Sequence, residues 1–142
     1  MAQKWYFLLS APLEVSQRAA LADTLRAHLI DWRAHGRPVT YTLAFPYGWF
    51  IEVAVEEPLT GCSIDALFRR VQSATAAMGL SLCSSEWVLV IDGDNTFIEK
   101  FYEIVKKYRL GQWPPERKVV EVRPEGLRCC ALEASYLAIH LR

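Results

Sequence analysis

Neither sign of charge is in excess in this sequence. Sixteen Lys and Arg residues balance sixteen Asp and Glu residues, so the formal net charge is zero. Proteins that bind nucleic acid usually carry a basic stripe, because neutralising phosphates supplies most of their affinity. The nearest approach to such a stripe is Lys106, Lys107 and Arg109, which share their stretch with Glu99 and Glu103. The charge balance therefore predicts that nucleic acid is not a partner.

Long apolar runs and paired cysteines are missing as well. No uncharged apolar run reaches the length of about 18 residues that a membrane helix needs, so we expect no membrane partner. The four cysteines form no C-x-x-C pair, and the adjacent Cys129 and Cys130 are poorly placed to bridge each other. Four reduced thiols are therefore expected, which favours a cytoplasmic location.

Apolar residues, by contrast, are plentiful, and their spacing predicts an α+β fold. They make up 52% of the 142 residues, enough for the core of a single domain over residues 1–142. Their periodicity predicts a strand at 5–9, a helix at 16–36, an antiparallel hairpin at 39–55, a helix at 63–79 and a strand at 86–91. This β-α-β-β-α-β order is the split pattern of ferredoxin-like folds.

Three further elements are expected after this core. Thr96 with Glu99 fits a capping box for an added helix that ends near Gly111. Residues 118–122 are predicted to form an edge strand, and the apolar spacing over residues 127–141 predicts a C-terminal helix.

Cys62 is the first candidate catalytic residue. It belongs to Gly61-Cys62-Ser63-Ile64-Asp65, and with Ser63 as the helix cap it lies just before the N-terminus of the second predicted helix. Partial positive charge there favours a thiolate, which is a nucleophile when a histidine such as His35 acts as its base. The alternative is structural: Cys62 fills a tight turn, and Ser63 and Asp65 are the cap and a first-turn residue.

Two histidines and an aspartate near the end of the first predicted helix are candidate metal ligands. His28 and His35 are seven residues apart, so a helix places them on one face with Asp31 nearby. A histidine beside an apolar stripe is more often packed and hydrogen-bonded, and His35 also suits the C-terminus of a helix. We therefore expect no metal at these residues, and the sequence predicts no cofactor.

The segments Trp32-Arg33-Ala34-His35-Gly36 and Gly61-Cys62-Ser63-Ile64-Asp65 are separated by the predicted hairpin. Together they resemble a small family of uncharacterised bacterial proteins whose members often carry a transporter-ATPase label. The resemblance covers residues 28–70. It implies a bacterial, cytoplasmic protein and favours His35, Cys62 and Asp65 as catalytic candidates, but it supplies no activity. The ATPase label has no support, because the chain contains no G-x-x-x-x-G-K-[ST] phosphate loop.

The sharpest local motif is an apolar strand that ends in Asp92-Gly93-Asp94-Asn95-Thr96. It is similar to the first motif of haloacid-dehalogenase phosphatases, in which the first Asp is the nucleophile, the second is a general acid and Mg²⁺ lies between them. It is also similar to the start of PIN-like nucleases. Both need further acids downstream to hold the metal, and no aspartate follows Asp94. Asp92 and Asp94 are therefore weak metal candidates, and the alternative is an Asp-Gly turn before a helix.

The hairpin supports the first hypothesis of function. Its face away from the core mixes Thr40, Thr42, Phe50 and Glu52, which is too apolar for plain solvent and too mixed for a core. Aromatic residues are enriched in protein interfaces, so the candidate binding residues are Trp32, Tyr47, Trp49 and Phe50.

We accordingly predict a non-catalytic binding or assembly module that forms a homo-oligomer or binds a protein partner. The alternative is an enzyme. It would be either a thiol enzyme that uses Cys62 with His35 or a Mg²⁺-dependent phosphoryl hydrolase that uses Asp92 and Asp94.

Overall fold

The computed structural model describes residues 2–142 of the chain. They form an α+β protein with three α-helices and three antiparallel sheets, as the apolar pattern predicts at the level of fold class. The chain divides into two compact units, which we call unit 1 (up to Leu82) and unit 2 (from Cys83 onward), and each is described by itself. The single domain inferred from the length stays a prediction.

Unit 1 combines a three-stranded sheet with two helices and a small hairpin. Its elements are β1 (Gln3–Leu8), α1 (Val15–His28), β2 (Arg33–Ala34), β3 (Arg37–Pro38), β4 (Tyr41–Ala44), β5 (Phe50–Val55) and α2 (Gly61–Ala77). The sheet order is β1-β5-β4, with both pairs antiparallel. The hairpin predicted at 39–55 is therefore confirmed, with Pro46–Gly48 as its turn.

The core of unit 1 lies between this sheet and the two helices. Alternate residues of β5, Ile51, Val53 and Val55, have no exposed surface. Leu25 of α1 and Leu67 of α2 are equally buried in the same apolar cluster. Burying one such aliphatic side chain contributes about 1.5–3 kcal/mol, which explains why the alternation fixes the register of the strands.

The first helix is shorter than predicted. It ends at His28, and the predicted end signal at Gly36 belongs to the two-residue hairpin between β2 and β3. His35 and Gly36 form the tip of that hairpin with φ of 53° and 74°. Two positive φ values in succession are what a type I′ turn requires. Gly36 therefore belongs to the turn of a β-hairpin and does not end a helix.

Unit 2 combines a four-stranded sheet with one helix. Its elements are β6 (Trp87–Asp92), β7 (Asn95–Lys100), α3 (Phe101–Arg109), β8 (Lys118–Arg123), β9 (Gly126–Ala131) and two 3-10 turns, Leu132–Ala134 and Tyr136–His140. The sheet order is β7-β6-β8-β9, with every pair antiparallel. Its core packs β6, β8 and α3 around Val90, Val119 and Ile104.

Several predictions for this half of the chain are wrong. The strand predicted at 86–91 exists, but it pairs with β7 and β8. After α2 the chain returns to the end of β1 through an isolated bridge between Leu9 and Leu82. The added helix starts at Phe101, because Thr96 belongs to β7. Gly93, with φ of 60°, closes the two-residue turn between β6 and β7, so the Asp-Gly signal marks a hairpin.

The end of the chain also differs from its prediction. Residues 118–122 were expected at a sheet edge, yet β8 lies between β6 and β9. The expected C-terminal helix is replaced by β9 and the two 3-10 turns. The first apolar residues of this stretch lie in β9 and pair with β8, and that pairing buries Cys130 beside Val119. Between residues 2 and 142, no helix is long and apolar enough to cross a membrane.

Candidate functional site

The structure brings together the two segments that carry the family resemblance. The Trp32 indole Nε1 donates a hydrogen bond to the Ser63 carbonyl oxygen at 2.9 Å, and Trp32 is only 2% exposed. The cap of α2 is Thr60, whose Oγ1 accepts from the Ser63 amide at 3.1 Å. Cys62 is therefore in the first turn of α2, and the prediction that it lies just before the helix is wrong.

The predicted thiol site is not assembled by polar contacts. Cys62 and Asp65 are exposed on α2, and His35 is exposed at the tip of the β2–β3 hairpin. Within residues 2–142, the side chains of these three residues make no hydrogen bond or ion pair. The thiol-enzyme alternative stays a prediction. It needs a base that is hydrogen-bonded to the Cys62 thiol, and residues 2–142 provide no such hydrogen bond.

We expect His35→Ala to leave the alkylation of Cys62 unchanged. The exposed Cys62 thiol should react first with iodoacetamide, because the buried Cys130 is shielded from the reagent. Mass spectrometry of the modified protein at several pH values gives the rate at each cysteine. A His35→Ala variant in which only Cys62 slows would revive the thiol-enzyme alternative.

Two of the residues proposed as metal ligands, His28 and Asp31, have other partners. His28 Nδ1 lies 2.9 Å from the Thr24 carbonyl oxygen, and the Asp31 carboxylate is paired with Arg70. That guanidinium holds the pKa of Asp31 below its ordinary value. Since α1 ends at His28, His35 does not share a helix face with it. No cluster of three His, Cys, Asp or Glu residues suited to a metal occurs in the described part of the chain.

Asp92 has a structural partner at the end of β6. Its Oδ2 accepts a hydrogen bond from Arg117 Nε at 2.9 Å. The same guanidinium lies over the rings of Phe97 and Trp113, at 5.5 and 5.3 Å from their centroids. Asp92 thus helps to hold Arg117 between two aromatic rings, while Asp94 is exposed in the turn. The phosphoryl-hydrolase alternative stays a prediction.

The aromatic binding candidates of unit 1 offer little exposed surface. Trp49 and Phe50 are each 4% exposed, whereas Tyr47 is 46% exposed. On the outward face of the sheet, Tyr6 donates a hydrogen bond to Glu52 Oε1 at 2.6 Å, and its ring meets Phe50 edge-on at 6.2 Å. Self-association through this face stays a prediction.

A groove on unit 2, which the sequence did not predict, offers a more complete site. We call it the α3 groove. It lies between α3 and the 3-10 turn at the C-terminal end and is open to solvent along one side. Its volume is about 470 Å³. The lining residues are Phe101, Tyr102, Val105, Lys106, Arg109, Leu110 and His140. Helical spacing puts residues 102, 106 and 109–110 along one side of α3, with 101 and 105 beside them.

Arg109 fixes the wall of the α3 groove opposite the helix. Its Nη2 donates to the carbonyl oxygens of His140 at 2.7 Å and Arg142 at 3.1 Å. The rings of Phe101 and His140 lie 6.0 Å apart and tilted. The C-terminal segment is therefore tied to both ends of α3, which gives the groove a defined shape.

The two permanently charged side chains that line the α3 groove, Lys106 and Arg109, are both basic. The lining also contains His140 and no carboxylate. Beside it, the Lys100 ammonium group lies over the Tyr102 ring at 5.7 Å. The sequence did contain a signal, the basic last turn of α3. Glu99 is paired with Lys107, and among residues 2–142 Lys106 forms no ion pair with Glu99 or Glu103.

A buried carboxylate anchors the segment that carries His140. Glu121 on β8 has no exposed side-chain surface, and its Oε2 accepts from the Tyr136 amide at 2.7 Å. Its Oε1 lies 3.2 Å from Arg123 Nη1 and 3.8 Å from Arg128 Nη1. Two arginines therefore compensate the buried charge, and the carboxylate fixes the start of the last 3-10 turn.

Alkaline pH should destabilise unit 2 through groups beside Glu121. Burial, and then the Glu121 charge, raise the pKa of the Cys130 thiol and of Tyr136. The folded state therefore holds these protons more tightly, so their contribution is complete below the ordinary pKa and is lost as the pH rises through the raised value. We expect the free energy of unfolding to fall above about pH 9, the ordinary value for a thiol. Urea unfolding at several pH values measures this fall, and Cys130→Ala should lessen it. An identical pH dependence in both proteins would assign the effect elsewhere.

No family model, no curated protein and no solved structure matches this chain. The resemblance carried by residues 28–70 therefore stays a prediction. The fold and site together define an α+β protein of three helices and three antiparallel sheets, with a cationic groove of partly aromatic lining on unit 2.

Proposed function

We propose that the protein is a cytoplasmic, non-catalytic binding module, and that it holds an anionic partner in the α3 groove. The observation that carries this proposal is the lining of the groove: Lys106, Arg109 and His140 without a carboxylate, above an apolar floor of Phe101 and Val105. The basic side chains attract and orient an anion, while contact with the apolar floor supplies affinity.

The catalytic alternatives receive less support. A nucleophile needs a base within hydrogen-bond reach, and a metal-dependent hydrolase needs several acids around one ion. Within residues 2–142, Cys62 has no hydrogen-bonded base, and Asp92 is engaged by Arg117. The four free cysteines support the cytoplasmic location, because reduced thiols persist in a reducing compartment.

A ferredoxin-like arrangement of unit 1 belongs to the same proposal. It is supported by the order β1-β5-β4, with α1 and α2 placed between the strands as in a split βαβ pattern. The fourth strand would be reduced to the bridge at Leu82. That fold hosts many functions, so the proposal for the α3 groove does not depend on it.

The groove dimensions suit a modest affinity. Its volume of about 470 Å³ is within the range of ligand pockets. A ligand that buries about 200 Å² of apolar surface gains about 5 kcal/mol, part of which is lost to immobilisation. We therefore expect a dissociation constant on the order of 1 mM for a small probe.

A fluorescent anion tests the proposal directly. We expect 8-anilinonaphthalene-1-sulfonate to bind the folded protein and Lys106→Glu to weaken its binding about tenfold, because the substitution replaces attraction by repulsion. Lys118→Glu is the matched control: it makes the same change in net charge at an exposed position of β8 outside the groove. The uncharged analogue N-phenyl-1-naphthylamine should be insensitive to Lys106→Glu. If both variants bind the anion as the wild type does, the groove is not its site and the proposal fails.

A further inference from the structure

We infer that the natural occupant of the α3 groove is an acidic amphipathic helix of a partner protein. This inference rests on the proposed function and adds the class of partner to it. Three observations carry it: the direction of the groove along α3, the apolar side chains that extend beyond it, and its single sign of charge.

The side chains that line the groove follow the helix axis. Tyr102, Lys106 and Arg109 are spaced four and three residues apart on α3. At 1.5 Å per residue, positions 102 to 110 span about 12 Å, or roughly two helical turns. A helix laid in such a groove presents anchors at i, i+4 and i+7 over the same length.

Exposed apolar surface extends from the groove to the C-terminal segment. Leu110, which lines the groove at the end of α3, is 60% exposed, and Ile139, which follows Ala138 and precedes His140 outside the lining, is 74% exposed. A small molecule that fills the groove leaves Ile139 in water. A helical segment that crosses from α3 to the C-terminal segment covers both side chains, so the apolar surface favours a protein partner.

The charges of the groove select the sign of the partner. Lys106, Arg109 and His140 line it without a carboxylate, and Lys100 lies next to Tyr102. Glutamate or aspartate between the apolar anchors of a partner helix would meet Lys106 and Arg109. Nucleic acid is a poorer match, because phosphate neutralisation by many cations supplies most of its affinity and the groove lining offers two, while the nearby Lys100 lies 3.8 Å from Glu86.

The probe is a synthetic, end-capped helical peptide with leucines at i, i+4, i+7 and i+11 and glutamates at most other positions. Fluorescence anisotropy with the full chain should give a dissociation constant on the order of 10 μM that weakens as salt is added. Lys106→Glu should weaken binding about tenfold, and a peptide with lysines in place of the glutamates should recover binding to that variant. Leu110→Ser should also weaken binding, whereas Lys118→Glu should leave it unchanged.

Controls separate this inference from the proposed function. A scrambled peptide of the same composition that binds equally well would overturn the inference, because no helical face is then recognised. Binding of the anilinonaphthalene sulfonate without binding of the peptide would overturn the inference and leave the proposed function standing, and loss of both would overturn both. If a single-stranded oligonucleotide binds more tightly than the peptide, the partner is a nucleic acid and the inference of a protein helix is overturned. A wild-type dimer that dissociates in Lys106→Glu would make a second copy of the chain the occupant.

Discussion

Glu121→Ala is expected to lower the free energy of unfolding by about 2–4 kcal/mol. The substitution removes a fully buried carboxylate and leaves the Tyr136 amide without its acceptor. The released Arg123 and Arg128 are 39% and 46% exposed, so water can solvate them, and the larger part of the loss comes from the orphaned amide and the cavity. Urea unfolding followed by circular dichroism measures the change.

Two matched variants show whether the Glu121 effect is specific. Glu121→Gln keeps an oxygen acceptor for the Tyr136 amide, so it should cost less than the alanine variant. Glu133→Ala removes an exposed acid from the neighbouring 3-10 turn and should change stability by less than about 0.5 kcal/mol. If Glu121→Ala were as mild as Glu133→Ala, the buried carboxylate would not anchor the C-terminal segment.

Trp32→Ala is expected to cost about 3–5 kcal/mol, which makes it the largest single-residue effect in unit 1. The indole is buried, lies 5.9 Å from the Tyr41 ring and donates to the Ser63 carbonyl oxygen. Trp32→Phe keeps most of the apolar volume and loses the hydrogen bond, so it should cost about 1–3 kcal/mol. Ile30, two residues earlier, is 83% exposed, and Ile30→Ala should be nearly neutral. Equal stability of the Trp32→Ala and Ile30→Ala variants would contradict the assignment of Trp32 to the core.

Local patterns predicted unit 1 better than unit 2. The hairpin at 39–55 could be predicted because its strands alternate and are joined by a three-residue turn. Thr96 and Glu99 have the spacing of a capping box, but pairing of Phe97 with Val90 across the Asp92–Asn95 turn makes that segment a strand. Asp92-Gly93 is itself a short-range signal for this hairpin, so two local signals conflict in the sequence, and the packing of the sheet decides between them.

The candidate site could be predicted only in part. The cationic side of the α3 groove is visible in the sequence as Lys106 and Arg109. Its other wall depends on His140, which the sequence places in a helix and the structure places in a 3-10 turn against Phe101. The groove exists because Arg109 holds the carbonyl groups of that turn, a contact between segments far apart in the chain.

In unit 1, two segments are in contact although their reactive side chains share no hydrogen bond. The segments around Trp32 and Cys62 do meet, through the hydrogen bond from Trp32 to the Ser63 carbonyl oxygen. The residues with reactive side chains, His35 and Cys62, are exposed on the hairpin tip and on the first turn of α2. Trp32 and Ser63 are therefore packing residues that join the two segments. His35 and Cys62 share no hydrogen bond.

The most direct test of the central claim is chemical-shift mapping of the ¹⁵N-labelled full chain with 8-anilinonaphthalene-1-sulfonate. If the α3 groove is the binding surface, the amides that shift should cluster in Phe101–Leu110 and Tyr136–His140. In Lys106→Glu the same signals should need about tenfold more probe to shift, while Lys118→Glu should respond as the wild type does. Shifts that cluster instead around Cys62, or on β4 and β5, would contradict the account and return the search to unit 1.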